Sequence, residues 1–212
     1  MAAEGHVRKV FCIGRNKTGT TSLAAWLEAS GFRMGRQAAG ELLLDDWAAR
    51  RFDPIVEFCR SADAFQDIPF SLPFTFQALD RAYPDARFIL TVRESAEVWA
   101  DSLIRFHSQL AGAGRTPTRT DLKAFGYRRP GWIWDVIRLT YGADVEHPYD
   151  RARLMAHYTR HNESIMDYFS TRPGRLLRLD LAEPQSGARL ARFLDLDAPA
   201  RPVPHLNRSA QG

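Results

Sequence analysis

Short apolar runs alternate along this chain with stretches in which apolar residues recur every three or four positions. Val7 to Ile13 is one such run, closed by Gly14, and reads as a buried strand. From Ser22 to Ser30, Leu23, Trp26 and Leu27 fall on one helical face, and Gly31 ends the segment. Glu41–Arg51 and Pro54–Arg60 read as helices, and Ala64–Asp67 as a short strand stopped by Pro69. Phe74–Tyr83 has amphipathic helical spacing. Arg87–Val92 (RFILTV) is the clearest strand, apolar and too short for a helix. A long helix is expected over Ser95–Leu110 with Ser95 as its N-cap. Further helices are expected over Trp132–Tyr141, Asp150–Phe169 and Gly187–Leu194, with a last strand over Leu176–Leu181. Between them, residues 111–130 carry Gly112, Gly114, Pro117 and several threonines, and read as a mobile connection or lid. Strands alternating with helices predict an α/β fold with one mostly parallel, doubly wound sheet flanked by helices.

Composition narrows the function classes. A chain of 212 residues, 45% hydrophobic and 25% charged, is expected to form a single domain, 1–212. Its net charge of +4 admits an anionic ligand but falls far short of a nucleic-acid-coating surface. The basic residues are 26 Arg and only 3 Lys, so a lysine inside a motif stands out. Cys12 and Cys59 form neither a disulfide framework nor a metal-ligand spacing, which favours a reducing cytoplasm. No apolar run is long enough for a signal peptide or a membrane span.

The strongest chemical motif is Gly14-Arg15-Asn16-Lys17-Thr18-Gly19-Thr20-Thr21, between the first strand and the first helix. There, backbone N–H groups and a helix N-terminus form an anion cradle, and glycines let the backbone come close to the ligand. The glycine spacing is that of a nucleotide P-loop, but Thr20 stands where the P-loop lysine would be. The cation has moved inside the loop, to Lys17.

Asn16-Lys17-Thr18-Gly19-Thr20-Thr21 resembles the 5′-phosphosulfate loop of sulfotransferases, written P-K-S-G-T-T-W, with Ser22 in place of the tryptophan near the adenine. Arg93 at the end of the RFILTV strand, followed by Ser102 one helix later, resembles the family's 3′-phosphate pair. The family's usual spacing would select Asp101. A carboxylate would repel a phosphate, so Ser102 is preferred. Phe65-Gln66-Asp67-Ile68-Pro69 occupies the place of the family's T-H-L-P segment, with Asp67 at the base position. The loop, the strand running from Tyr83-Pro84 into FILTVR, and the Pro204-His205-Leu206-Asn207 segment are most similar to a small bacterial and fungal branch.

The resemblance implies a three-layer, P-loop-like fold. It implies 3′-phosphoadenosine 5′-phosphosulfate (PAPS) as donor, the 3′,5′-bisphosphate (PAP) as product and a small-molecule acceptor, without a metal, a nucleic acid or a membrane. It assigns donor binding to Arg15, Asn16, Lys17, Thr18, Gly19, Thr20, Thr21, Ser22, Arg93, Ser102 and Arg208. Lys17 and Asp67 become the catalytic pair. Other readings of the residues are a P-loop kinase or NTPase, with Asp180 as its metal-holding acid, and a non-catalytic nucleotide-binding protein. His157 and His161, four residues apart on one helix, offer a metal pair without a third ligand and read instead as a packed helix face. Trp132, Trp134, Phe106 and Phe125 are either core or acceptor pocket.

Overall fold

A computed structural model describes residues 9–142, 147–196, 202–204 and 206. Four strands form the sheet: β1 (Val10–Cys12), β2 (Ala64–Phe65), β3 (Arg87–Val92) and β4 (Leu176–Asp180). Their order is β2-β1-β3-β4, and every pair is parallel. The expected parallel α/β architecture is therefore present. β1 and β3 are buried almost throughout, as strands covered on both faces must be.

Ten helices are described: α1 (Thr20–Ala29), α2 (Gln37–Glu41), α3 (Leu44–Ala48), α4 (Asp53–Phe58), α5 (Thr75–Ala82), α6 (Ala96–Ala111), α7 (Arg119–Ala124), α8 (Trp132–Tyr141), α9 (Arg151–Phe169) and α10 (Ser186–Phe193). Two apolar clusters sandwich the sheet. The larger joins Phe11, Phe65, Phe88 and Trp99 to α5, α6, α8 and α9. The smaller joins Val10, Cys12 and Ile89 to α1 and α10. Alternate residues of β1 thus serve opposite layers, as period-2 geometry requires.

Most boundaries expected from the pattern hold within one or two residues. Ser95 caps α6, its hydroxyl accepting from the Val98 N–H at 3.2 Å. Two regions differ. The single helix expected over Glu41–Arg51 is broken: α2 and α3 are separate short helices, and α2 starts upstream at Gln37. The 111–130 stretch contains α7, whose Thr118 and Asp121 form a reciprocal capping box. Arg115 adds a two-pronged contact to Asp121, at 2.7 and 3.0 Å, and Leu122 is fully buried.

β1 lies between β2 and β3, and the chain leaves it in one direction and returns on the other side. The carboxyl ends of β1 and β3 therefore form a topological switch point, where open α/β sheets bind ligands. The turn after β1 is pressed onto β3 there. A Cβ on Gly14 would fall 2.3 Å from both the carbonyl oxygen and the hydroxyl of Thr91. Gly14→Ala should cost about 1–3 kcal/mol by overpacking, measured by urea unfolding. A loss below about 0.5 kcal/mol would show that the turn can back away from β3.

Candidate active site

The loop Gly14–Gly19 and the start of α1 lie at this switch point. Lys17 (φ 67°) and Gly19 (φ 92°) are left-handed and turn the chain sharply into α1. Thr18 braces the turn from within: its hydroxyl donates to the Arg15 carbonyl at 2.6 Å and meets the Thr91 hydroxyl at 2.6 Å. The Trp99 indole N–H donates to the Asn16 carbonyl at 2.9 Å, and Trp99 stacks on Tyr158 of α9. No side chain caps α1, and its first turn carries no acid. Its first N–H groups therefore lack both an intrahelical partner and a countercharge, which is the condition for seating an anion.

The cavity in front of this loop has a volume of about 780 Å³, within the usual range for small-molecule sites. Asn16 through Ser22, Arg93, Ser102, Asp67 and Asp180 all line it. Arg93 is held twice: its Nε donates to the Lys17 carbonyl at 2.7 Å, and its backbone N–H donates to the Tyr158 hydroxyl at 2.8 Å. The two α6 candidates are placed differently. Asp101 faces away and is clamped by Arg151 at 2.9 and 3.1 Å, whereas Ser102 lies on the cavity wall.

One residue of the sequence assignment is placed elsewhere. The Arg15 side chain is 1% exposed and does not line the cavity. It donates to the Ser71 carbonyl at 2.7 Å and to the Tyr141 hydroxyl at 2.6 Å, and lies over the Tyr141 ring. Buried in this way, it ties the Gly14–Gly19 loop to the turn that follows Asp67. Arg208, His205 and Asn207 lie outside the described residues. Neighbouring Leu206 is described: its backbone N–H donates to the Ser22 hydroxyl at 3.1 Å, which brings the C-terminal segment to the cavity.

Lys17 has its ammonium 3.8 Å from the Phe106 ring centre. Burial, then Arg93 and Arg105, push its pKa down, while Asp67 pulls it up. Asp67 is left-handed (φ 61°) and half-buried, and its Oδ1 accepts the Ile68 N–H at 3.0 Å. Its pKa is pushed up to about 6, chiefly by burial and then by the Glu41 carboxylate; the Ile68 N–H, Arg15 and Lys17 act against the rise. Both candidate catalytic residues thus sit in a backbone region that side chains adopt at a cost, and such strain gathers at functional sites.

Sequence reasoning missed several polar wall residues. Arg105, three positions after Ser102 on α6, adds a third cation, and helical spacing from Ser102 was the available signal. Gln37 and Glu41, one turn apart on α2, lie beside Asp67; they fall in a segment too short for periodicity to register. His107 also lines the cavity, with its Nδ1 2.8 Å from the Tyr149 hydroxyl. The aromatics left open between core and pocket divide: Phe106 and Trp132 reach the cavity wall, while Trp134 packs in the core with Phe125 against it.

His157 and His161 are 9% and 3% exposed and pack around Arg15, the latter 3.0 Å from the Ile13 carbonyl. Among the described residues, no three His, Cys, Asp or Glu side chains gather as a metal site. No helix among them is long and apolar enough to cross a membrane.

The sulfotransferase domain family matches residues 9–212, and the chain belongs to that family. A comparison with curated proteins returned no match.

The buried histidines set a pH dependence. Burial pushes the pKa values of His107, His157 and His161 down from near 6.5 to about 3, 2 and 3. The unfolded chain binds these protons below about pH 6.5 while the fold does not, so stability falls as pH drops through the window from 6.5 toward 3. Above about 6.5 the histidines add no slope. Asp67 opposes weakly, because the fold binds its proton from about pH 6 down and the unfolded chain only near 4. Between pH 7.5 and 5, urea unfolding should show a loss of roughly 1–2 kcal/mol per buried histidine. His157→Gln should flatten that slope, and an unchanged slope would mean that His157 is protonated in the fold.

Proposed function

We propose that the protein transfers a sulfuryl group from PAPS to a hydroxyl, or an amine, of a small and partly apolar acceptor. One observation carries this reading: Lys17, Asp67, Arg93, Ser102 and the uncapped end of α1 share a single cavity. The groups suit a donor with two anionic ends. The loop and the α1 terminus face a 5′-phosphosulfate. Arg93 and Ser102, with Arg105 near them, supply a forked cation, a neutral hydroxyl and a further charge for a 3′-phosphate. When bound, the donor contributes a sulfuryl group already activated on a phosphate.

The remaining chemistry belongs to the chain. Lys17 and the α1 N–H groups stabilise the negative charge that builds on the leaving phosphate. Fixing both partners in one cavity turns a bimolecular encounter into an oriented one. Asp67 and His107 both line the cavity, but burial holds Asp67 at about 6 and His107 at about 3. A base works best when its pKa approaches the operating pH, so Asp67 takes the acceptor's proton. Phe106, Leu110, Ile133 and Val136 form the apolar wall that an acceptor ring or chain would cover.

Asp180 also lines the cavity, but its carboxylate accepts the Ala182 N–H at 2.9 Å, and the lysine of a nucleotide-kinase loop is absent. The kinase reading therefore has less support. We read the chain as a member of the small bacterial and fungal branch on its loop and FILTVR strand, acting in a reducing cytoplasm that suits its two free, buried thiols.

Arg93→Ala should weaken PAP binding about 10–100-fold. It should leave adenosine 5′-phosphosulfate, which lacks the 3′-phosphate, nearly unaffected in a calorimetric titration. Equal losses for the two ligands would mean that Arg93 matters only through its hold on the Lys17 carbonyl.

Asp67→Asn should keep PAP affinity and lower kcat by about 10²–10⁴, with a smaller loss for a phenol than for an aliphatic alcohol. In the parent enzyme, kcat/KM should fall as pH drops through about 6, where Asp67 gains its proton. Unchanged kcat on both acceptors would remove Asp67 from the reaction. PAP should also raise Tm where ATP with Mg²⁺ does not; the reverse would overturn the sulfotransferase reading.

A further inference from the structure

Asp67 stands at the end of a chain of polar contacts that begins on a distant part of the sequence. The Gln37 amide nitrogen lies 3.5 Å from Asp67 Oδ2 and donates to Glu41 Oε1 at 2.9 Å. Its amide oxygen accepts from Gln66 Nε2 at 3.1 Å, so the orientation of the amide is fixed by its neighbours. Glu41 is 3% exposed. Its second oxygen, Oε2, accepts from Arg128 Nε, and its backbone carbonyl accepts from the Trp132 indole at 3.1 Å. Arg128 lies over the Tyr127 ring, 4.3 Å from its centre.

Two carboxylates thus share one amide at the floor of the cavity. A buried carboxylate next to Asp67 favours the protonated, inactive form of Asp67 unless a cation compensates it. Arg128 is the cation bonded to Glu41. The other charged and titratable groups facing Asp67 are Arg15 and Lys17 from the donor loop, Glu41 from α2 and the Tyr127 hydroxyl. Arg15 and Lys17 act on Asp67 directly, whereas Arg128 reaches it through Glu41.

We propose that Arg128, carried on the segment between α7 and α8, is a positioning residue for Asp67: it offsets part of the Glu41 charge and, through Gln37, helps to keep Asp67 ionised and aimed at the acceptor. The proposal rests on the reading of Asp67 as the proton acceptor. It couples the acceptor-side wall to the base. When Arg128 is seated on Glu41 the base is ready. When it is displaced, Glu41 turns from a paired ion into a repulsive neighbour.

The test is a double-mutant cycle read without turnover, by carbon-detected NMR titration of the Asp67 carboxyl in the intact protein. Arg128→Met should raise the Asp67 midpoint by roughly one pH unit. Glu41→Gln should lower it by a similar amount. In the Glu41→Gln background, Arg128→Met should then move it by less than a third as much. An unmoved midpoint in Arg128→Met, or an equal movement in both backgrounds, would overturn the coupling. Should Arg128→Met fail to fold, Glu41→Gln decides alone: it keeps an oxygen to accept from Gln37, and an unmoved midpoint sinks the proposal. Arg128→Lys, which retains the charge, should hold the midpoint near its parent value. The acidic limb of kcat/KM should follow the NMR midpoint through the series. A limb that stays fixed while the midpoint moves would refute Asp67 as the base and leave the Arg128–Glu41 coupling standing.

Discussion

Everything at this site depends on the close approach of the β1–α1 turn to β3. Two parallel neighbours end side by side, and Gly14 lies against Thr91 with no room for a side chain. That contact aims the N-terminus of α1 at the switch point. The helix reaches it uncapped, with no acid in its first turn, so its partial positive charge is offered to a ligand. Thr18, Trp99 and the buried Arg15 hold the turn from three sides. A helix end used in this way costs the protein a cap and two left-handed residues, and the surrounding core supplies the compensation.

The cavity lining mixes the cations Lys17, Arg93 and Arg105 with the acids Asp67, Glu41 and Asp180. Lys17 and Asp67 perturb each other: the carboxylate helps keep the lysine charged, and the lysine helps keep the carboxylate ionised. Burial works against both charges. The outcome is a carboxyl whose pKa has risen to about 6, the range that would suit a proposed base. Arg15 extends this balance inward. Its buried charge has no carboxylate partner among its hydrogen bonds, and it helps to keep His157 and His161 neutral.

Several positioning contacts come from segments far apart in the chain. Asp101 is drawn away from the cavity by Arg151, fifty residues later, which leaves Ser102 on its wall. Arg128 reaches Glu41 across eighty-seven positions. Tyr158, on α9, orients Arg93 by accepting its backbone N–H. None of these pairings carries a local signature, because each depends on where whole helices pack.

The sequence by itself determined what local rules govern. β3 was legible because five consecutive apolar or β-branched residues, Phe88 to Val92, read as a covered strand, and α6 because Ser95 is a strong cap before a periodic face. The loop after β1 was legible because its glycines and Lys17 sit between a strand and a helix, a context that leaves few alternatives for the backbone. α7 was hidden because Gly112, Gly114 and Pro117 dominate its neighbourhood, while its stability comes from the capping box and the burial of Leu122. Arg15 stood in the motif, yet only the fold showed its side chain turning inward, since the direction of a loop side chain is set by what lies behind it. Gln37 and Glu41 gave no usable pattern, because two residues on a helix of five cannot define a period. Their place beside Asp67 was decided by tertiary packing, which brings α2 against the β2 turn and so joins groups that no spacing rule connects.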